Sequence, residues 1–286
     1  MKRTLIYTVP SQSDGIRLES FLMGMCGFSR RIIRELKQRR EDIQRNGAHI
    51  RMVDPVFEGD RIVAVLRDTK TTTSSSSIFV PVLYEDDDLV IYNKPPFLAV
   101  HPAKRHQTDT LANVYAATHP EGTFRPVYRL DRDTDGICVC AKNTLSAAKL
   151  AGKIEKKYTG IVCGVLPEDS GTIDAPIAQL AAHQMRRGVR EDGQRAVTLY
   201  QVLKRVPGFT LLSLVLPTGR THQIRTHFAH IGHPLVGDTM YGAAHTFLKR
   251  QALSCTEVRF MHPMTGNPVE LCINMHKDLA LLVHSE

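Results

Sequence analysis

Much is missing from this 286-residue chain, and each absence removes a class of function. None of its six cysteines forms a Cys-x-x-Cys pair, which argues against structural zinc and against a disulfide framework. Cys138 and Cys140 would simply share one face of an extended strand as small apolar residues. There is no Gly-x-x-x-x-Gly-Lys loop and no Gly-x-Gly-x-x-Gly turn, so nothing supports nucleotide binding. No apolar run approaches the roughly 20 residues that cross a membrane. The run Leu5 to Val9, behind Lys2 and Arg3, is too short for a secretion signal, and the expected location is the cytoplasm.

The hydrophobic share, 42%, and the charged share, 23%, are those of an ordinary globular protein. The length allows one large domain or two ordinary ones. A net charge of +8 points to an anionic partner such as nucleic acid.

The sharpest compositional break is "DTKTTTSSSS", Asp68 to Ser77, which has almost nothing to pack. Residues 69–77 are expected to be a flexible polar linker spanning roughly 15–18 Å. It would separate a small unit, residues 1–68, from a large one, residues 78–286. The small unit has 13 Lys/Arg against 9 Asp/Glu and so holds half of the net charge. Ser29 can cap a helix with Ile32, Ile33 and Leu36 on one face and Arg30, Arg31, Arg34 and Lys37 around the rest. Asn46-Gly47 signals a two-residue hairpin, and a strand at Arg61–Leu66 follows the Gly59-Asp60 turn. A basic helix is often only a solvated face. This order of elements, however, resembles the S4-type RNA-binding domain over roughly Gly15 to Leu66, which implies a phosphate-contacting patch.

In the large unit, short strands outnumber helices and do not alternate regularly with them. "VLYEDDDLVIYNKP" reads as a hairpin around Asp86–Asp88, "YTGIVCGVL" and "FTLLSLVL" as strands, "NTLSAAKLAGKIEK" and "THQIRTHFAHIG" as helices. The expected class is α+β, a mixed and largely antiparallel sheet with flanking helices.

The stretch "RPVYRLDRDTDGICVCAKN", Arg125 to Asn143, sets a dense ion cluster at the mouth of an apolar strand. Together with "LPTGRTHQIRTHFAHIGHPLVGDTMYG", Leu216 to Gly242, it closely resembles the RluA family of pseudouridine synthases. "YEDDDLVIYNKPPFLAVHP", "GTIDAPI", "KKYTGIVCG" and "FMHPMTG" add to the match. The resemblance implies conversion of uridine to pseudouridine in ribosomal or transfer RNA. The N1–C1′ bond breaks, the uracil turns, and C5 rejoins C1′. Glycoside hydrolysis uses two carboxylates, but an isomerisation has no water to activate, so one carboxylate suffices for the sugar step. Resemblance assigns it to Asp131, acting at C1′ or C2′. A carboxylate in a site emptied of water by a flipped base tends to protonate, and a nearby guanidinium restores its charge. The family assigns that guanidinium to Arg225. Thr218 or Thr221 can cap a helix whose apolar face is Ile224, Phe228 and Ile231, which puts Arg225 near its first turn. Tyr158 matches the family tyrosine that stacks on the base, and Arg129 the arginine that fills the vacated RNA stack. Lys94 and Arg220 are candidate phosphate contacts. No metal or organic cofactor is implied, and nothing demands more than a monomer.

Other readings of the same residues exist. Asp131, Asp133 and Asp135 also invite reading as a glycosidase or metal cluster, but acidic residues at such spacing usually form solvated turns. His222, His227, His230 and His233 suggest zinc, yet there is no His-Glu-x-x-His. A non-catalytic RNA-binding or RNA-folding factor is the rival from another class. Three positions depart from the family pattern: Tyr128 replaces the usual histidine, Asp135 the usual serine, and Ser254 a frequent histidine.

Overall fold

The computed structural model describes residues 2–68, 77–103, 106–181, 184–242 and 244–284. Of the expected linker, all but Ser77 lies outside them. The first unit runs β1 (Lys2–Thr8), α1 (Leu18–Gly24), α2 (Arg30–Leu36), β2 (Ile43–Arg45), β3 (Ala48–His49) and β4 (Arg61–Arg67). Its sheet has the order β1-β4-β2-β3. Local chemistry explains the element ends. Ser29 accepts the Ile32 backbone N–H and starts α2. Asn46 and Gly47, at φ 51° and 86°, make the left-handed turn that a two-residue hairpin requires. Ile32, Ile33 and Leu36 face Phe21, Leu22, Ile62 and Ala64 in a small core.

The second unit continues with β5 (Val82–Glu85), β6 (Leu89–Lys94), α3 (Leu111–Thr118), β7 (Asp135–Ala141), α4 (Thr144–Leu150), β8 (Glu155–Cys163) and β9 (Ser170–Asp174). Then come β10 (Ile177–Gln179), β11 (Arg187–Val189), β12 (Val197–Val206), β13 (Phe209–Val215), α5 (Gln223–His230), β14 (Leu253–Met261), β15 (Pro268–Cys272) and α6 (Lys277–His284). A nine-stranded sheet has the order β5-β6-β7-β14-β8-β13-β12-β9, with β15 beside β14. Among the described residues its one parallel junction is β7 with β14, so the sheet is mixed and largely antiparallel and the class is α+β. β7 is central and buried along its whole length, which is why "DGICVCA" carries so few polar side chains. The hairpin at Asp86–Asp88 forms, with Asp86 accepting the backbone N–H groups of Asp88 and Leu89. The helix expected over "NTLSAAKLAGKIEK" is shorter than its sequence suggests. Asn143 caps it, but Gly152 at φ 72° turns the chain so that β8 starts at Glu155.

The two units touch. Arg3 on β1 grips the Asp88 carboxylate with two nitrogens, at 3.1 and 2.9 Å. Arg125 pairs with Asp68, and Leu145 of α4 completes the core of the first unit.

Candidate active site

The backbone at 125–127 runs antiparallel beside β7 before the chain turns back into that strand. The turn is the ion cluster. Thr134 N–H closes it on the Asp131 carbonyl at 3.2 Å, and Gly136 enters β7 at φ 114°. A Cβ at 136 would lie 2.2 Å from the Cys255 carbonyl oxygen, so only glycine lets the loop lie this close to β14. Asp131 is thereby held at the sheet rim with its side chain 27% exposed.

Arg225 reaches it from α5. This helix is not capped by Thr218 or Thr221. Its N-cap is His222, in the left-handed region at φ 57°, and it makes no side-chain cap bond. Gln223 instead ties down the segment that leads into the helix: its Oε1 accepts the Arg220 backbone N–H and the Thr218 hydroxyl, both at 2.9 Å. Ile224 and Phe228 are buried as the helical period requires, while Ile231 falls past the helix end and is exposed. Arg225, in the first turn, donates Nη1 to Asp131 Oδ2 at 3.1 Å. Its Nε and Nη2 fork onto Asp238 at 2.7 and 2.9 Å. The Tyr241 ring lies 5.1 Å from the guanidinium carbon. Burial works against the Arg225 charge, but the carboxylates of Asp238 and then Asp131 outweigh it and raise its pKa. His222 Nε2 stands 3.8 Å from Asp131, and burial lowers its pKa, favouring neutral imidazole.

A small cavity of about 60 Å³ opens on Asp131. Arg129, Tyr158, Arg220, His222 and Arg225 line it with the carboxylate. Tyr158 sits on β8 in register with Leu214 on β13 and Cys255 on β14. Its phenol is pushed well above its usual pKa, chiefly by burial, and so keeps its proton. Arg129 is exposed and has no ion-pair partner among the described residues; Asp133 pairs with Arg132 instead. Four of the sequence candidates for catalysis and RNA contact thus meet Asp131 at one opening.

The chain that builds this opening has counterparts among known proteins. The description of the RNA pseudouridylate synthase family matches residues 88–230. The uncharacterized RNA pseudouridine synthase YjbO of Bacillus subtilis is 34% identical over 274 residues, covering 92% of this chain and 97% of its own. The chain belongs to the RNA pseudouridylate synthase family. A second relative, ribosomal large subunit pseudouridine synthase D of Xanthomonas campestris, is 33% identical over 96% of this chain and 90% of its own. The solved human RNA pseudouridylate synthase domain containing 1 shares the fold, with a TM-score of 0.58 and 24% identity over 71% of this chain and 86% of its own.

The synthase corrects one expectation outright. Lys94 does not face solvent, where a phosphate would meet it. It is 0% exposed, and its ammonium donates to the carbonyls of Pro95, Leu98 and Arg132 at 2.9, 2.9 and 3.0 Å. Its carbonyl partner at 132 makes it a tie on the Asp131 loop. The basic residues of α2 lie elsewhere: Arg30, Arg31, Arg34 and Lys37 are all exposed, with Arg31 paired to Glu35 and Lys37 to Glu19.

The departures from the family pattern also find places in the synthase. Tyr128 donates its hydroxyl to the Ile137 carbonyl at 2.8 Å, under the Lys156 ammonium. Asp135 does not point to solvent; it is buried and accepts the Ser254 hydroxyl at 2.7 Å. His227 and His233 are spent on protein partners, Thr198 with the Ala175 carbonyl and the Cys163 carbonyl respectively. Among the described residues no three His, Cys, Asp or Glu side chains converge as a metal site would need. Asp238 and Tyr241 went unnoticed in the sequence, and His222 stood out only as a zinc candidate. Asp238 ends the quoted "GHPLVGD", but nothing in its spacing from Arg225 marks it as a partner.

Proposed function

We propose that Asp131 is the catalytic carboxylate with which this pseudouridine synthase isomerises uridines of structured RNA, ribosomal or transfer. The observation that carries the reading is a partly exposed carboxylate held by a buried guanidinium at an opening shared with Tyr158. The target uridine leaves its stack, at a cost of a few kcal/mol, and Arg129 is placed at the rim to occupy the gap. Asp131 acts on the ribose, at C1′ or C2′, as the N1–C1′ bond breaks. The uracil turns over Tyr158 and C5 bonds C1′; C5 loses its proton and N1 gains one, so atoms balance. Arg225 sets a positive charge on Asp131 through one bond to Oδ2 while its fork on Asp238 fixes the guanidinium, and a lysine could not make both contacts. Arg220 contacts phosphate at the opening. No metal or organic cofactor enters the scheme, because nothing is oxidised or hydrolysed.

In the same reading, residues 1–68 are an S4-like RNA-binding domain whose α2 meets the phosphate backbone through Arg30, Arg31, Arg34 and Lys37. Residues 69–77 link it to the catalytic domain, residues 78–286. The enzyme works as a monomer in the cytoplasm. No helix among the described residues is long and apolar enough to cross a membrane.

Pseudouridine mapping in cells with the gene intact, deleted, or carrying Asp131→Asn tests the proposal. Marks lost in both altered strains support it and name the RNA. Marks that vanish on deletion yet survive Asp131→Asn would refute the assignment of Asp131.

A further inference from the structure

The short segment from Arg250 to Ser254 straps the loop that carries Asp131. Arg250 Nη1 donates to the Asp133 carbonyl at 3.2 Å. Gln251 Nε2 donates to Thr134 Oγ1 at 3.0 Å, and Ser254 Oγ to Asp135 Oδ2 at 2.7 Å. Three successive residues of the loop are therefore taken by three side chains of one strand entry. Asp135 and Ser254, two of the positions that depart from the family pattern, are bonded to each other.

Arg250 is the centre of this strap. Its side chain is 1% exposed, and Nε and Nη2 both reach the Asp278 carboxylate of α6 at 2.8 Å. Nη1 also lies 2.8 Å from Asp135 Oδ1 without hydrogen-bond alignment, so the attraction there is ionic. A buried guanidinium is costly unless every donor is used; here Nε and Nη2 go to α6, and Nη1 goes to the Asp133 carbonyl, with longer contacts to the Gln251 and Leu253 carbonyls at 3.4 and 3.3 Å. The Arg250 backbone matters as well. A Cβ on Gly237 would lie 2.2 Å from the Arg250 carbonyl, so Gly237, adjacent to Asp238, packs flat against it. Both carboxylates around Arg225 thus rest on the Arg250 segment, Asp131 through the loop and Asp238 through Gly237.

We propose that Arg250 is a positioning residue that sets Asp131 against Arg225, with Asp278 of α6 as its anchor. A purely stabilising triad would serve the core equally well with its donors on any buried carbonyl. This one has a donor on the carbonyl two residues past Asp131. The inference rests on the reading of Asp131 as the catalytic group.

The test uses the full chain and RNA extracted from a strain lacking the gene, with pseudouridine quantified at the sites lost on deletion. Arg250→Met, Arg250→Lys, Asp278→Asn and Asp131→Asn are assayed well below each variant's measured melting temperature. Arg250→Met is expected to lower kcat about 10- to 100-fold, the scale of a displacement near 1 Å, with KM within about threefold. Arg250→Lys should fall between it and the native enzyme. A folded Arg250→Met enzyme with kcat within twofold of native overturns the proposal, as does a change confined to KM. Should Arg250→Met fail to fold, Asp278→Asn decides: a several-fold drop in kcat at unchanged KM supports the proposal, and an unchanged kcat overturns it. Activity surviving in Asp131→Asn breaks the underlying reading instead. Loss in that variant beside an active Arg250→Met enzyme breaks only the inference.

Discussion

Two buried arginines flank the same loop, and each joins two aspartates. Arg225 links Asp131 to Asp238, and Arg250 links Asp135 to Asp278. In each triad one carboxylate is sealed and the other partly open, with Asp131 and Asp278 exposed to similar extents, 27% and 32%. The difference lies in how the open carboxylate is held. Asp278 takes the guanidinium fork on both oxygens and His276 besides. Asp131 takes one bond, from Nη1 to Oδ2, while the fork of Arg225 goes to Asp238. Its Oδ1 has no side-chain partner among the described residues. Asp131 therefore keeps one oxygen available to a substrate, whereas both oxygens of Asp278 are already engaged within the fold.

The largest effect should come from emptying the first triad. Arg225→Met leaves Asp131 and the buried Asp238 without a counter-charge, which should cost about 3–5 kcal/mol of stability. The same change should lower kcat about 10²–10³-fold, as loss of a preorganised donor does. Thermal unfolding and single-turnover kinetics read the two separately; a stable, active variant would erase the contrast between the triads.

Arg225→Lys asks whether charge alone suffices. The ammonium cannot fork onto Asp238 and still reach Asp131 in a fixed plane, so kcat should drop about 10- to 100-fold with binding nearly kept. Equal activity would mean that geometry at Asp131 matters less than a positive charge beside it.

Exposed arginines offer the opposite case, since they act by charge with little geometry. Replacing Arg30 and Arg34 by glutamine should leave kcat intact and make the slope of log K against log salt shallower by about 1.4 to 1.8, the share of two phosphate contacts. An unchanged slope would remove α2 from the RNA interface.

The smallest effect concerns Lys94, a third buried cation on the same loop. Burial lowers its pKa to about 8. Between pH 8 and the ordinary lysine range, the unfolded chain binds a proton that the folded chain does not. Stability from this group therefore rises with pH through that window. Denaturant midpoints at pH 7.5 and 9.5 should show the rise in the native protein relative to Lys94→Met; parallel curves would show that Lys94 titrates normally.

Features decided over a few residues could be read before any coordinates. The Ser29 cap, the Asn46-Gly47 hairpin and the Asp86–Asp88 turn depend on neighbours within four positions. The motif carrying Asp131 and that carrying Arg225 were also visible, and the structure brings the two side chains together. Where the expectation went astray, a distant partner decided the outcome. Lys94 reads as a surface cation beside Pro95 and Pro96, yet the carbonyl of Arg132 completes a buried site for it. The Thr218 hydroxyl, offered as a helix cap, instead serves Gln223 and the backbone of Val197. Asp135 reads as a solvated turn residue until Arg250 and Ser254 arrive from a different strand.

The sequence by itself determined the class of fold, the basic first unit, the family and the two polar residues that face each other at the sheet rim. Periodicity, turn chemistry and motif spacing are local properties and survive without a third dimension. Only the tertiary structure decided which charges are buried and which oxygens stay free. Those depend on desolvation and on hydrogen-bond angles between segments far apart along the chain, such as the loop before β7 and the entry to β14, and no local pattern encodes either.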